Sequence, residues 1–226
     1  MSYICLYFMR TFIISDIHGD NEAFRKALKH VSLKKDDLLI LLGDYIDRGF
    51  DSKGVLDTIM LLIQHDFNLI CLRGNHEQML LDAIADKSQI SKWFINGGDA
   101  TLSSFLTSSI EKIPYKYIEL INSFRHYYLH ADYIFVHAAL NMKAKDPFED
   151  TETMLWSRTQ EDFIDYEWLG DRKIIHGHNP TSKDDILNSI AHEKIICIDN
   201  GVFLKRIGFG NICILELENL NAQFIS

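Results

Sequence analysis

The chain has 226 residues, 47% hydrophobic and 24% charged, with 32 acidic against 23 basic side chains and a formal net charge of −9. That size fits one domain, residues 1–226, with a substantial core. The acidic surplus, with no basic run, argues against a nucleic-acid partner. No run of about 18 apolar residues is present to span a membrane. Residues 1–9 are apolar but lack the charged flank and cleavage site of a signal peptide. Residues 1–8 read as an extension or an added edge strand. Cys5, Cys71, Cys197 and Cys213 are scattered without a CxxC pair. They read as buried reduced thiols, which points to the cytoplasm.

In chain order, residues 11–14 form an apolar run that reads as a buried strand and ends at Ser15-Asp16-Ile17-His18-Gly19-Asp20. A helix is expected over 21–31, capped by Asp20, with Phe24, Ala27, Leu28 and Val31 on one face. A second strand, 38–42, ends at Gly43-Asp44-Tyr45-Ile46-Asp47-Arg48-Gly49. Helix 52–65 follows, with Val55, Ile59 and Leu62 at helical spacing. A third strand, 67–72, runs into Arg73-Gly74-Asn75-His76-Glu77. Right-handed crossovers make these three strands parallel.

Residues 78–124 read as a helical insertion, with helices at 79–85, 90–95, 101–106 and 115–123. Met79, Leu80, Ala83, Trp93 and Phe94 supply its packing faces, and the turn Asn96-Gly97-Gly98-Asp99 is expected on the solvent side. The insertion carries no metal-type motif, so its expected task is to choose among substrates. Residues 125–129 and 133–136 read as a hairpin delivering His137. Strands at 173–175, 194–198 and 212–217 are expected to join that hairpin in a second, mixed sheet. The fold class is therefore α/β, a two-sheet α/β/β/α sandwich with a helical insertion.

Asp, His and Asn at strand ends are the oxygen and nitrogen donors that suit manganese, iron or zinc in a hydrolytic centre. Taken singly, each has an ordinary alternative. Asp16 suits a loop cap, His18 a surface histidine and His137 a core histidine. The weight lies in the order: Ser15–Asp20, then Gly43–Gly49, then Arg73–Glu77, then His176-Gly177-His178-Asn179-Pro180. His30, His65, His126, His130 and His192 belong to no motif and read as surface or structural. Trp93 and Trp168 read as packing residues, and 146–152 as a solvated acidic loop.

The segments SDIHG, GDYIDRG, RGNHE, Val136-His137-Ala138-Ala139 and HGHNP resemble the metallophosphoesterases, specifically the phosphoprotein-phosphatase branch. The resemblance runs from about residue 10 to about residue 217. Ser15 and Ala139 depart from that branch, which usually has Gly at both places, but neither supplies a ligand. The resemblance implies a pair of divalent ions, manganese by expectation, with iron or zinc as the other choices. Asp44 would bridge them, Asp16 and His18 would complete one site, and Asn75, His137 and His178 the other. The pattern x-G-H-x-P places the ligand at His178 and leaves His176 variable. A hydroxide between the metals would attack phosphorus in line. His76 would be the general acid, with Asp47 as its partner. Arg48 and Arg73 would grip phosphate, joined by Arg158 of Leu155-Trp156-Ser157-Arg158. The first implied activity is a monomeric phosphomonoesterase acting on phosphoserine or phosphothreonine proteins and on small phosphoesters. The second is a symmetrical diadenosine tetraphosphate hydrolase. A silent partner-binding scaffold is the third, disfavoured because every ligand and the acid are present.

Overall fold

The computed structural model describes residues 9–226, so the expectation for residues 1–8 lies outside it. Strand β1 (Thr11–Ile14), β2 (Leu38–Leu41) and β3 (Asn68–Cys71) alternate with helices α1 (Asn21–His30) and α2 (Ser52–Gln64). The insertion holds α3 (Asn75–Ala85), α4 (Ile90–Ile95), α5 (Gly98–Ser104) and α6 (Tyr115–Asn122). Next come β4 (Tyr127–His130), β5 (Tyr133–Val136), α7 (Thr151–Trp156), α8 (Tyr166–Leu169) and β6 (Lys173–His176). The chain closes with α9 (Lys183–His192), β7 (Ile195–Cys197), β8 (Ile212–Glu216) and β9 (Asn221–Ile225).

The strands form two sheets, ordered β3-β2-β1-β8-β9 and β4-β5-β6-β7. β1, β2 and β3 are parallel, as the crossover rule requires. The β4–β5 pair is the expected antiparallel hairpin, and β5, β6 and β7 are parallel. Two expectations fail here. β8 does not join the hairpin's sheet but pairs antiparallel with β1, Ile13 opposite Leu215. β9 was not anticipated and pairs with β8.

Side-chain alternation builds the layers. Ile13, Leu38, Ile40, Cys213 and Leu215 point between the sheets, where Phe135, Ile175 and Ile196 of the second sheet meet them. Their alternates Phe12, Ile14, Leu39, Leu41, Ile212 and Ile214 point outward into a core shared with α1, α2 and the insertion helices. Ile134, Val136 and Ile174 face the opposite way, into a third cluster with Met154 and Leu169. Each such side chain, fully removed from water, contributes about 1.5–3 kcal/mol. The sheets are thus locked face to face, and the loops after β1, β2, β5 and β6 are brought together at one end. Among the described residues no helix is long and apolar enough to cross a membrane.

Candidate active site

The motif loops are held in unusual backbone conformations. Among the described residues ten non-glycine residues have positive φ, including His18, Asp44, Asp47, Arg48 and His178. Such values cost free energy unless the surroundings impose them, and they gather at working sites. One residue that the sequence reading passed over does much of the imposing. The buried Glu77 carboxylate accepts from the backbone N–H of Gly74 at 2.9 Å, Asp44 at 2.9 Å, Tyr45 at 2.8 Å and Ile46 at 3.3 Å. It ties the second motif to the third. Gly74 is needed beside it, because a Cβ there would collide with the Asp44 side chain and backbone. The helix α3 starts at Asn75, so Asn75, His76 and Glu77 occupy its first turn rather than a preceding loop.

Asn75, His137 and His178 converge. Asn75 Oδ1 lies 3.0 Å from His137 Nε2 and 2.9 Å from His178 Nδ1, and those two nitrogens are 3.2 Å apart. His137 Nδ1 sits 2.9 Å from the Leu42 carbonyl, which makes it the protonated nitrogen and leaves a lone pair on Nε2. A carbonyl oxygen and lone-pair nitrogens facing one another without enough protons between them are satisfied by a cation. The donor set passes that test for a divalent ion. Burial, then the neighbouring histidine and Arg158, push His178 down to about 2, so its imidazole is neutral at physiological pH.

The other half follows the same logic. His18 Nδ1 is fixed by the Ile46 carbonyl at 3.1 Å, which frees Nε2. That nitrogen lies 3.6 Å from Asp44 Oδ2 and 3.8 Å from Asp16 Oδ2. Asp44 Oδ1 lies 3.5 Å from His137 Nε2. Asp44 therefore turns one oxygen to each half, the disposition a bridging carboxylate requires. Burial and the nearby Asp16 and Glu77 carboxylates raise the Asp44 pKa well above its usual range, against the pull of His76. Such a cluster calls for compensating positive charge. Groups able to hold a metal gather as His18, Asp44 and His76, and as Asp44, His137 and His178. Asp16 is also in place, oriented by the Ser15 hydroxyl at 2.6 Å and the His178 N–H at 3.0 Å. His176 is buried with Nδ1 near its own neighbour's carbonyl, that of Gly177, and belongs to neither group.

Asp199 was also overlooked. It is buried just past β7, its Oδ2 has no partner among the described residues, and burial plus the Asp16 charge raise its pKa well above normal. Its signal was there: residues 195–198 are an apolar run ending in Asp199-Asn200-Gly201, the same strand-end pattern as the first motifs.

His76 Nδ1 contacts Asp47 Oδ2 at 2.8 Å, the expected pair. Burial lowers His76 to about 4, partly offset by the Asp44 charge. Burial raises Asp47 to about 7, although bonds from Thr101 and Trp93 and the Arg48 charge pull it down. Arg48 donates from Nη1 to His18 Nε2 at 2.8 Å and from Nη2 to His76 Nε2 at 3.0 Å, with its guanidinium 4.2 Å from the Phe203 ring. It is therefore poised over both halves. Arg158 lies beside Asn179, 3.4 Å from its Oδ1, on the His178 side. Arg73, expected to grip phosphate, has partners of its own in this structure. Its guanidinium points to Gln78 Oε1 at 3.1 Å and to the carbonyls of Ile121 and Asn122 at 3.4 and 3.0 Å. Those carbonyls end α6, where the helix dipole is negative and favours a cation.

The turn at 96–99 also departs from expectation. Gly97 accepts from the Arg48 N–H at 3.2 Å, so the glycines of the turn pack on the second motif while Asp99 is exposed.

The comparisons agree with this geometry. Residues 9–206 match the calcineurin-like phosphoesterase family. Serine/threonine-protein phosphatase 1 of Salmonella typhimurium is 33% identical over 156 residues, 65% of this chain and 67% of that protein. The symmetrical bis(5'-nucleosyl)-tetraphosphatase of Pseudomonas syringae is 34% identical over 85 residues, 37% of this chain and 28% of that protein. Among solved structures, the cold-active protein-tyrosine phosphatase of a psychrophilic Shewanella shares the fold with a TM-score of 0.68 at 17% identity, covering 97% of this chain and 81% of that one. Motif loops gathered at one end of a two-sheet sandwich, a carboxylate shared by two donor groups and a matched family together place this chain among the calcineurin-like phosphoesterases, phosphoric ester hydrolases that depend on a metal pair.

Proposed function

We propose that the protein is a phosphomonoesterase acting on phosphoserine and phosphothreonine in proteins, with manganese as its working metal. Asp16, His18 and Asp44 would hold one ion and Asp44, Asn75, His137 and His178 the other. When bound, the ions supply a nucleophile from water at neutral pH and positive charge for the phosphate oxygens. The protein's own groups do the rest. Arg48 turns its guanidinium from the two imidazoles to the arriving phosphate, which frees His76 Nε2 to carry a proton. The dianion's charge and the Asp47 carboxylate both favour the imidazolium against its burial. His76 then gives that proton to the departing alkoxide, while Asp47 keeps the ring's orientation.

The observation that carries the reading is the His76–Asp47 pair set beside Asp44 with Arg48 above it. Two open clefts support a chain-like substrate over an enclosed small molecule. One, of about 570 Å³, is bordered by His18, Arg48, Phe50, Phe203 and Lys205. The other, of about 690 Å³, is bordered by Arg158 and Asn179. The Salmonella relative's name points the same way. The second reading, symmetrical hydrolysis of a dinucleoside tetraphosphate, draws on the Pseudomonas relative and on clefts flanking the site on both sides. Free Cys71, Cys197 and Cys213 support a reducing compartment, the cytoplasm. Turnover of phosphoserine peptides, diadenosine tetraphosphate and p-nitrophenyl phosphate with manganese decides between the readings. Faster turnover of the dinucleotide than of any phosphopeptide would reverse their order, and no turnover of any would sink both.

A further inference from the structure

The insertion reaches the catalytic loop through one short segment, and its contacts concentrate on two residues. The Trp93 indole is fully buried, and its Nε1–H donates to Asp47 Oδ1 at 3.1 Å and Oδ2 at 2.9 Å. The Thr101 hydroxyl is fully buried, donates to Asp47 Oδ1 at 2.6 Å and accepts the Asp47 N–H at 3.0 Å. Ser52 Oγ accepts the same N–H at 3.0 Å and lies 3.0 Å from the Thr101 hydroxyl. Between Trp93 and Thr101 the chain turns at Gly97, whose φ is +98° and whose carbonyl accepts from Arg48 N–H. A Cβ on Gly97 would sit 2.8 Å from Arg48 N and 3.1 Å from its Cγ. Gly98 leaves the space that the Trp93 ring fills. Asp47 and Arg48 are consecutive residues at φ 71° and 69°. Two left-handed residues in a row hold that shape only when outside contacts fix it.

We infer that Trp93, Gly97, Gly98 and Thr101 form a clamp from the insertion that positions the acid pair's carboxylate and the phosphate-holding arginine. Asp47 has no solvent to satisfy it, so its two oxygens depend on His76, Trp93 and Thr101. With both supporting donors in place, the oxygen facing His76 is aimed and the imidazole can rotate little. Arg48, held through its backbone by Gly97, is set at the height from which its side chain reaches both halves of the site. The insertion's first duty is then to the chemistry, not to choosing substrates. This rests on the phosphoesterase reading, but the clamp itself is a statement about Asp47 and Arg48.

The test compares Trp93→Phe, Thr101→Val and Gly97→Ala with the full-length wild type, each checked for a cooperative melt. Two readouts are taken. The first is kcat and KM, with manganese, for p-nitrophenyl phosphate and for phenyl phosphate, whose leaving group needs the proton far more. The second is the downfield imidazole N–H resonance in the proton NMR spectrum, assigned by its absence in His76→Asn. Trp93→Phe and Thr101→Val should cut kcat roughly tenfold or more for phenyl phosphate and about threefold or less for p-nitrophenyl phosphate. They should also shift or broaden the resonance. Gly97→Ala should raise KM about fivefold or more for both esters, because it displaces Arg48. Equal losses for both leaving groups with the resonance unmoved would overturn the clamp and reduce Trp93 and Thr101 to packing. Should the wild type hydrolyse neither ester while the variants still disturb the resonance, the clamp stands and the phosphoesterase reading falls.

Discussion

Replacing Glu77 by Gln tests whether one buried carboxylate fixes the site's backbone. Glu77 Oε1 accepts from Tyr45 and Ile46 N–H, and Oε2 from Asp44 and Gly74 N–H. A glutamine keeps one oxygen and sets an amide NH2 against two N–H donors. The less costly choice gives up the Tyr45 and Ile46 bonds, one of which is long at 3.3 Å. Hydrogen bonds to charged groups are worth about 1.5–3 kcal/mol each, so a gross loss of about 3–6 kcal/mol follows. Part of that returns, because burial raises the Glu77 pKa and an amide is easier to bury than a charge. A net destabilisation of about 2–4 kcal/mol remains, which for a chain of this size lowers Tm by about 5–15 °C. The assay is a melt of metal-free protein by circular dichroism, with a manganese titration by calorimetry. The released Tyr45 and Ile46 follow Asp44 directly, and the Ile46 carbonyl holds His18 Nδ1, so manganese affinity should fall about tenfold or more. A Tm within about 2 °C of wild type with unchanged affinity would show that the loops hold their shape without Glu77, and the reasoning would fail.

His76→Asn should lower kcat by roughly 10²–10⁴ for phenyl phosphate and by less for p-nitrophenyl phosphate, with metal content unchanged by elemental analysis; equal losses would remove His76 as the acid. Arg73→Ala should lower Tm by about 2–8 °C through lost contacts to the end of α6 while KM for p-nitrophenyl phosphate moves less than about threefold; a large rise in KM with an unchanged melt would restore the phosphate role. Manganese at about 100 times its Kd should stabilise the folded state by about 2.7 kcal/mol per site, seen as a rise in Tm that EDTA reverses; no rise up to millimolar metal would argue against the donor set. Lys205→Glu should lower kcat/KM for acidic phosphopeptides about fivefold more than for p-nitrophenyl phosphate, because Lys205 borders the cleft that runs past Arg48; equal effects would remove that cleft from substrate binding.

What the sequence disclosed and what it hid divide along physical lines. Strand alternation is a local signal, so β1, β2, β3, β5 and β6 could be read from runs such as 11–14 and 38–42, and the strand-end motifs followed. Pairing is not local. Residues 212–216 are as apolar as a strand of either sheet, and only the antiparallel fit of Ile13 to Leu215 and Ile14 to Ile214 assigns them to the first. Helices α7, α8 and α9 carry short or weak apolar stripes and escaped notice.

The residues that hold the site escaped for a related reason. Trp93 and Thr101 are separated from Asp47 by 46 and 54 positions, and Glu77 from Asp44 by 33. Nothing in a local window distinguishes a tryptophan that packs from one that packs and also donates to a buried carboxylate. Metal ligands are chosen by element type and announce themselves in short motifs, because the ion needs particular donors at strand ends. The groups that aim those donors need only reach, so any part of the chain brought near can supply them. In this protein that part is the insertion, and Asn96-Gly97-Gly98 looks like a solvent turn only until Arg48 is seen beneath it. A segment without a ligand can therefore still belong to the catalytic machinery, through the carboxylate that orients the acid.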